Sequence, residues 1–109
     1  MNRDYKLFLE DILDSIKKIK KYVTNLSLED FTNDEKTVDA VIRNFEIIGE
    51  ASKNIPDEIQ KKYNDIPWRE MNGMRNILIH DYFGVDYNVI YKTVKEFLPD
   101  LKKKIQEIL

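Results

Sequence analysis

The amino-acid sequence predicts an all-α domain, a bundle of four to five helices. Apolar residues recur three and four positions apart along nearly the whole chain, the spacing that lines one face of a helix. Only three Gly and three Pro punctuate 109 residues, so helices are long and the turns between them short. No useful run alternates apolar and polar as a strand does, and no repeat or low-complexity linker divides the chain. Residues 1–109 therefore read as one domain, an ordinary size for independent folding.

Tyr5, Phe8, Leu9, Ile12, Ile16, Ile19 and Val23 place an amphipathic helix over about residues 3–24, Lys-rich outside and ended by Thr24-Asn25. Ser27-Leu28-Glu29-Asp30 reads as a capped short turn. Thr32-Asn33-Asp34-Glu35 has capping-box spacing and opens a second long helix, with Val38, Val41, Ile42, Phe45 and Ile48 on one face, running to about Asn54. Pro56 starts a short helix to Tyr63, because a first-turn residue has no intrahelical N–H partner to lose. Pro67 starts the next, which runs through Trp68, Met71, Met74, Arg75 and Leu78 to about Tyr82, with Gly84 as a left-handed stop. Asp86 caps a last helix carrying Val89, Ile90, Val94, Phe97, Leu101, Ile105 and Ile108. Pro99 falls inside that helix and is expected to kink it, by removing the hydrogen bond to the Lys95 carbonyl.

Composition excludes several classes of function. At 42% hydrophobic and 35% charged residues, the chain is too apolar for a disordered segment and too charged for a membrane span. Eighteen Lys and Arg against 20 Asp and Glu leave a net charge of −2, so any nucleic-acid role must rest on a local site. The absence of cysteine removes disulfides, thiolate nucleophiles and Cys-based metal sites, and suits a reducing cytoplasm. With a single His and scattered carboxylates, no metal site or cofactor is expected. The opening Met1-Asn2-Arg3-Asp4-Tyr5-Lys6 leads into no apolar core, so neither a signal nor a transit peptide is expected. The Lys runs at 17–18, 20–21 and 102–104 read as solvated helix faces. Trp68, Met71 and Met74 at helical spacing read as core or dimer interface, and Gly49 as a place of close helix packing. Glu50 is a candidate ion-pair partner across the bundle.

Chemistry concentrates in Met74-Arg75-Asn76-Ile77-Leu78-Ile79-His80-Asp81-Tyr82. His80 is the single imidazole of the chain, the side chain that both accepts and donates protons near neutral pH. Asn76 and His80 lie one turn apart on one helix face, and Arg75 aligns with Tyr82 two turns on. Arg75 and His80 are about 140° apart around a straight helix, which suits a cleft completed by a second element or a second chain. Spacing alone favours a structural or surface role for a lone His beside Asp81, an ion pair of Arg75 with Glu70 or Asp81, and a Tyr82 that closes the core.

A resemblance shifts that balance. Arg75-Asn76-Ile77-Leu78-Ile79-His80-Asp81-Tyr82 resembles the Arg-x4-His-x-Tyr signature of the HepT-like branch of the HEPN superfamily. Arg43-Asn44-Phe45-Glu46-Ile47-Ile48-Gly49-Glu50-Ala51 is similar to that family's second-helix segment, and Pro67 to Met74 to its approach to the signature. Val85-Asp86-Tyr87 and Phe97-Leu98-Pro99 fit as well, so the likeness covers most of the chain.

The resemblance implies a HEPN-type bundle and a metal-independent endoribonuclease toxin, a homodimer in which the Arg and His of both subunits face one cleft. It implies catalytic roles for Arg75, Asn76 and His80, with RNA, such as transfer or messenger RNA, as substrate. It also implies a toxin–antitoxin system of the HepT/MntA kind, type VII, whose partner is an MntA-type nucleotidyltransferase antitoxin that transfers AMP from ATP onto Tyr82. A competing expectation is a non-catalytic helical partner or substrate-binding subunit of a small nucleotidyltransferase.

Overall fold

The structure, a computed structural model, describes residues 4–80 and 86–109, with 75–80 described by their backbone. Seven helices account for most of them: α1 (Tyr5–Val23), α2 (Leu28–Thr32), α3 (Glu35–Lys53), α4 (Asp57–Lys62), α5 (Trp68–His80), α6 (Tyr87–Glu96) and α7 (Leu98–Ile108). The fold is an all-α bundle, and no strand occurs among the described residues. None of their helices is long and apolar enough to cross a membrane.

Helices α1, α2, α3 and α6 begin where a short polar side chain accepts from an orphan backbone N–H. The Asp4 carboxylate accepts from the Lys6 N–H at 3.0 Å, and the Asp86 carboxylate from the Asn88 N–H at 2.9 Å. The predicted short turn at Ser27 is helix α2, closed by a capping box: the Asp30 N–H donates to Ser27 Oγ (3.1 Å) and the Ser27 N–H to Asp30 Oδ2 (3.5 Å). The box expected at Thr32–Glu35 does not form. Thr32 is still in α2, where its hydroxyl donates to the Glu29 carbonyl (2.9 Å), so the chain must turn once more before α3 starts. Asp34 caps α3 instead, accepting from the Thr37 N–H at 3.1 Å and the Thr37 hydroxyl at 2.7 Å.

The centre of the bundle is α3, which packs along α1 on one side and α5 on the other, while α7 returns against α1 and α2 lies on α3 and α6. The inward stripes match the predicted periodicity. Leu9, Ile12 and Ile19 of α1, Val38, Val41 and Ile48 of α3, and Leu101 and Ile105 of α7 are all essentially inaccessible. Trp68, Met71 and Met74 are buried in the same core, and Gly49 is buried on α3.

The kink expected at Pro99 takes the form of a break. Phe97 ends α6 and precedes α7 (φ −96°, ψ −45°), its N–H donating to the Thr93 carbonyl at 2.9 Å, and Pro99 falls in the first turn of α7. There its missing N–H costs no helical bond. Val89, expected on the core face of the last helix, is 58% exposed, at the rim of a groove rather than under it.

Candidate functional site

Helix α5 carries the signature segment, and its first half is held on three sides. The Trp68 indole N–H donates to the Tyr63 carbonyl at 3.1 Å, tying the start of α5 to the end of α4. Met71 and Met74 sink into the core at 0% and 9% exposure. Between them, the fully buried Ser52 of α3 donates its hydroxyl hydrogen to Asn72 Oδ1 (2.7 Å), shared with the Gly49 carbonyl (3.0 Å). A part-buried side-chain bond between two apolar-packed helices restrains the rotation of one about its axis, because slipping it costs Asn72 Oδ1 its partner. Asn72 stands one turn before Arg75 and Asn76, so this joint orients the helix that carries them. Ser52 and Asn72 were missed in the sequence: their pairing links positions 20 apart, and no periodicity announces it.

The backbone of α5 remains helical from Trp68 to His80, so Arg75, Asn76 and His80 lie on one continuous helix. By helical register, position 80 falls about 180° around the axis from Met71 and position 75 about 40° from it. Tyr82 and the stop expected at Gly84 lie outside the described residues.

Beside the signature runs an apolar groove of about 260 Å³ between α3, α5 and α6, walled by Phe45, Met74, Ile90 and Phe97, with Val89 and Glu70 at its edges. On α3, in the Arg43–Ala51 segment, Asn44 is buried, and its amide nitrogen donates to the Ala40 carbonyl at 2.8 Å. Its Oδ1 has no partner among the described residues. Also among them, no three His, Cys, Asp or Glu side chains come together as a metal ion would require.

The model of the family described as ribonuclease HepT-like matches residues 12–108. The chain belongs to the HepT-like ribonuclease family. It is 52% identical over 108 residues to a protein of Thermococcus cleftensis named "Probable ribonuclease HepT", covering 99% of this chain and 98% of that one. It is 44% identical over 102 residues, 94% of this chain and 91% of the other, to a protein of Caldanaerobacter subterraneus subsp. tengcongensis named "Putative RNase". A protein of Methanocaldococcus jannaschii named "Gamma-glutamylcyclotransferase and putative RNase" is 47% identical over 109 residues, and there the chain spans all of its own length but 49% of the relative's. No solved structure matches. The matched residues 12–108 include all of α5, the helix to which Ser52 is joined through Asn72.

Proposed function

We propose that the protein is a metal-independent endoribonuclease toxin acting as a homodimer, with Arg75, Asn76 and His80 of two copies lining one cleft. The observation that carries this reading is the position of residue 80 on the α5 face opposite the core-packed Met71 in a chain of the HepT-like ribonuclease family. Cleaving RNA without a metal uses the 2′-hydroxyl as nucleophile. One group takes its proton as the 2′-oxygen bonds to phosphorus, and another protonates the 5′-oxygen as its bond to phosphorus breaks. One chain has one imidazole and a two-fold dimer has two. In this mechanism one His80 is the base and its counterpart the acid, Arg75 stabilises charge developing on the phosphate, and Asn76 orients His80 or the phosphate. The products are a 2′,3′-cyclic phosphate and a free 5′-hydroxyl.

The apolar groove ending at Met74, one residue before Arg75, is the surface we assign to the second copy. Regulation follows from Tyr82, which we propose receives AMP from an MntA-type nucleotidyltransferase: its oxygen bonds to the α-phosphorus of ATP and pyrophosphate leaves. A bulky anion two residues from His80 would repel and obstruct an RNA phosphate in the same cleft.

Two experiments test the reading. Digested RNA should carry cyclic phosphate ends, and a substrate with 2′-deoxy sugars throughout should resist; cleavage of that DNA-like strand at the same rate would rule out 2′-hydroxyl attack. Intact-mass measurement of the protein co-produced with an MntA-type nucleotidyltransferase should show added AMP that Tyr82→Phe abolishes. An unchanged adduct on Tyr82→Phe would place the modification elsewhere.

A further inference from the structure

Away from α5, a cavity of about 460 Å³ opens where the end of α1 meets the junction of α6 and α7. Its floor is apolar, made by the buried Ile16, Val23, Val94 and Leu98. Its polar lining consists of Lys20, Lys95 and Lys102 with Thr24 and Asn25, and no carboxylate is among the lining residues. The three lysines make no ion pair among the described residues. Lys95 is held in place: its ammonium lies 5.3 Å above the Tyr91 ring, whose hydroxyl donates to the Leu26 carbonyl at 2.8 Å. Asn25 takes a left-handed turn (φ 66°) that brings the chain round the cavity mouth.

Helix stability explains only part of this arrangement. Lys20 and Lys95 fall in the last turns of α1 and α6, where cations complement the helix dipole. Lys102 does not, because it follows closely on the start of α7, whose end is the positive one, and α7 starts without a side-chain cap. Three cations lining one concave, half-apolar site with no carboxylate in its lining make that site locally positive on a chain with net charge −2. Lysine ammoniums are point charges suited to phosphate oxygens, which need no fixed fork of donors.

We infer that this cavity is a second RNA-binding site, a backbone phosphate subsite formed by Lys20, Lys95 and Lys102, with a ribose or base face resting on the apolar floor. This rests on the ribonuclease reading. The signature segment leads into α6 at Tyr87 and the cavity lies at the other end of that helix, about 15 Å along it. The subsite therefore engages RNA remote from the bond that is cut and contributes to long substrates only.

The test compares the parent with the Lys20→Gln/Lys95→Gln/Lys102→Gln variant, using a fluorescein-labelled 2′-O-methyl single strand of roughly 20 nucleotides across a salt series. The variant should bind about 10- to 100-fold more weakly at 0.1 M salt, and its plot of log affinity against log salt should be shallower by about 2, since each phosphate contact on a single strand contributes about 0.7. The corresponding triple Lys→Arg variant should keep the parental slope, and cleavage of a dinucleotide should be unchanged. Lys20→Gln alone, at an exposed position, guards against a folding defect and should lower the slope by about 0.7. Parental affinity and slope in the triple Gln variant, with cleavage of long RNA intact, would overturn the subsite and leave the nuclease reading standing. A parent that neither binds nor cleaves RNA would overturn both.

Discussion

Asp34 shows how one residue can link helix formation to pH. Bonds from the Thr37 hydroxyl and then the Thr37 N–H hold its carboxyl below the usual carboxylate range. A carboxyl whose pKa is lower folded than unfolded contributes stability above its unfolded value, near 4, and that contribution is lost as pH falls through the folded value. Asp34→Asn should therefore reduce the acid loss of stability below about pH 4 relative to the parent, read as urea midpoints at pH 6 and pH 3. Equal midpoint shifts in both proteins would mean that other carboxylates dominate. Asp34 also marks a limit of sequence reading. Thr32 and Asp34 both offer a capping oxygen ahead of the same apolar run, and the choice depends on whether α2 extends through Thr32, which tertiary packing of Phe31 decides.

At the scale of elements, the α3–α5 joint and the α6–α7 break carry the predictions. Ser52→Ala removes the hydroxyl bound to Asn72 and should cost about 1–3 kcal/mol in chemical denaturation, because a partly buried amide oxygen loses its partner. If α5 is oriented through this bond, RNA cleavage should also fall. A stability loss with parental cleavage would restrict Ser52 to a structural role. Pro99 distinguishes a kink from a break by the sign of one measurement. In the first turn of α7 the proline sacrifices no bond, and Pro99→Ala should destabilise by about 0.4–1 kcal/mol through the freer unfolded chain. Within a continuous helix the same change would stabilise, since an interior proline costs about 3 kcal/mol. The helices themselves were legible because their apolar spacing persists over whole elements, as in Leu9 to Val23. The break at Phe97 was not, because apolar periodicity runs on through Val94, Leu98, Leu101 and Ile105 in both cases.

For the whole molecule, the chain assembles a helix bearing Arg75, Asn76 and His80, an apolar groove beside it and a basic cavity at the far end of α6. The signature was legible as a linear motif, since four residues separate Arg75 from His80 on one helix. The groove and the cavity were not, because each is built from segments distant in sequence, such as Phe45 with Phe97 and Lys20 with Lys102. Val89 stands 58% exposed at the groove, so Val89→Glu leaves the core intact while placing a charge in the proposed dimer face. Sedimentation should show a monomer with little RNA cleavage, whereas an unchanged dimer would assign the interface to another face. The central claim is tested most directly by incubating purified protein, shown by intact mass to carry no adduct on Tyr82, with total RNA in excess EDTA beside His80→Ala. The account predicts cleavage by the parent and its loss in the variant; equal cleavage by both, or none by the unmodified parent dimer across varied RNAs, would contradict it.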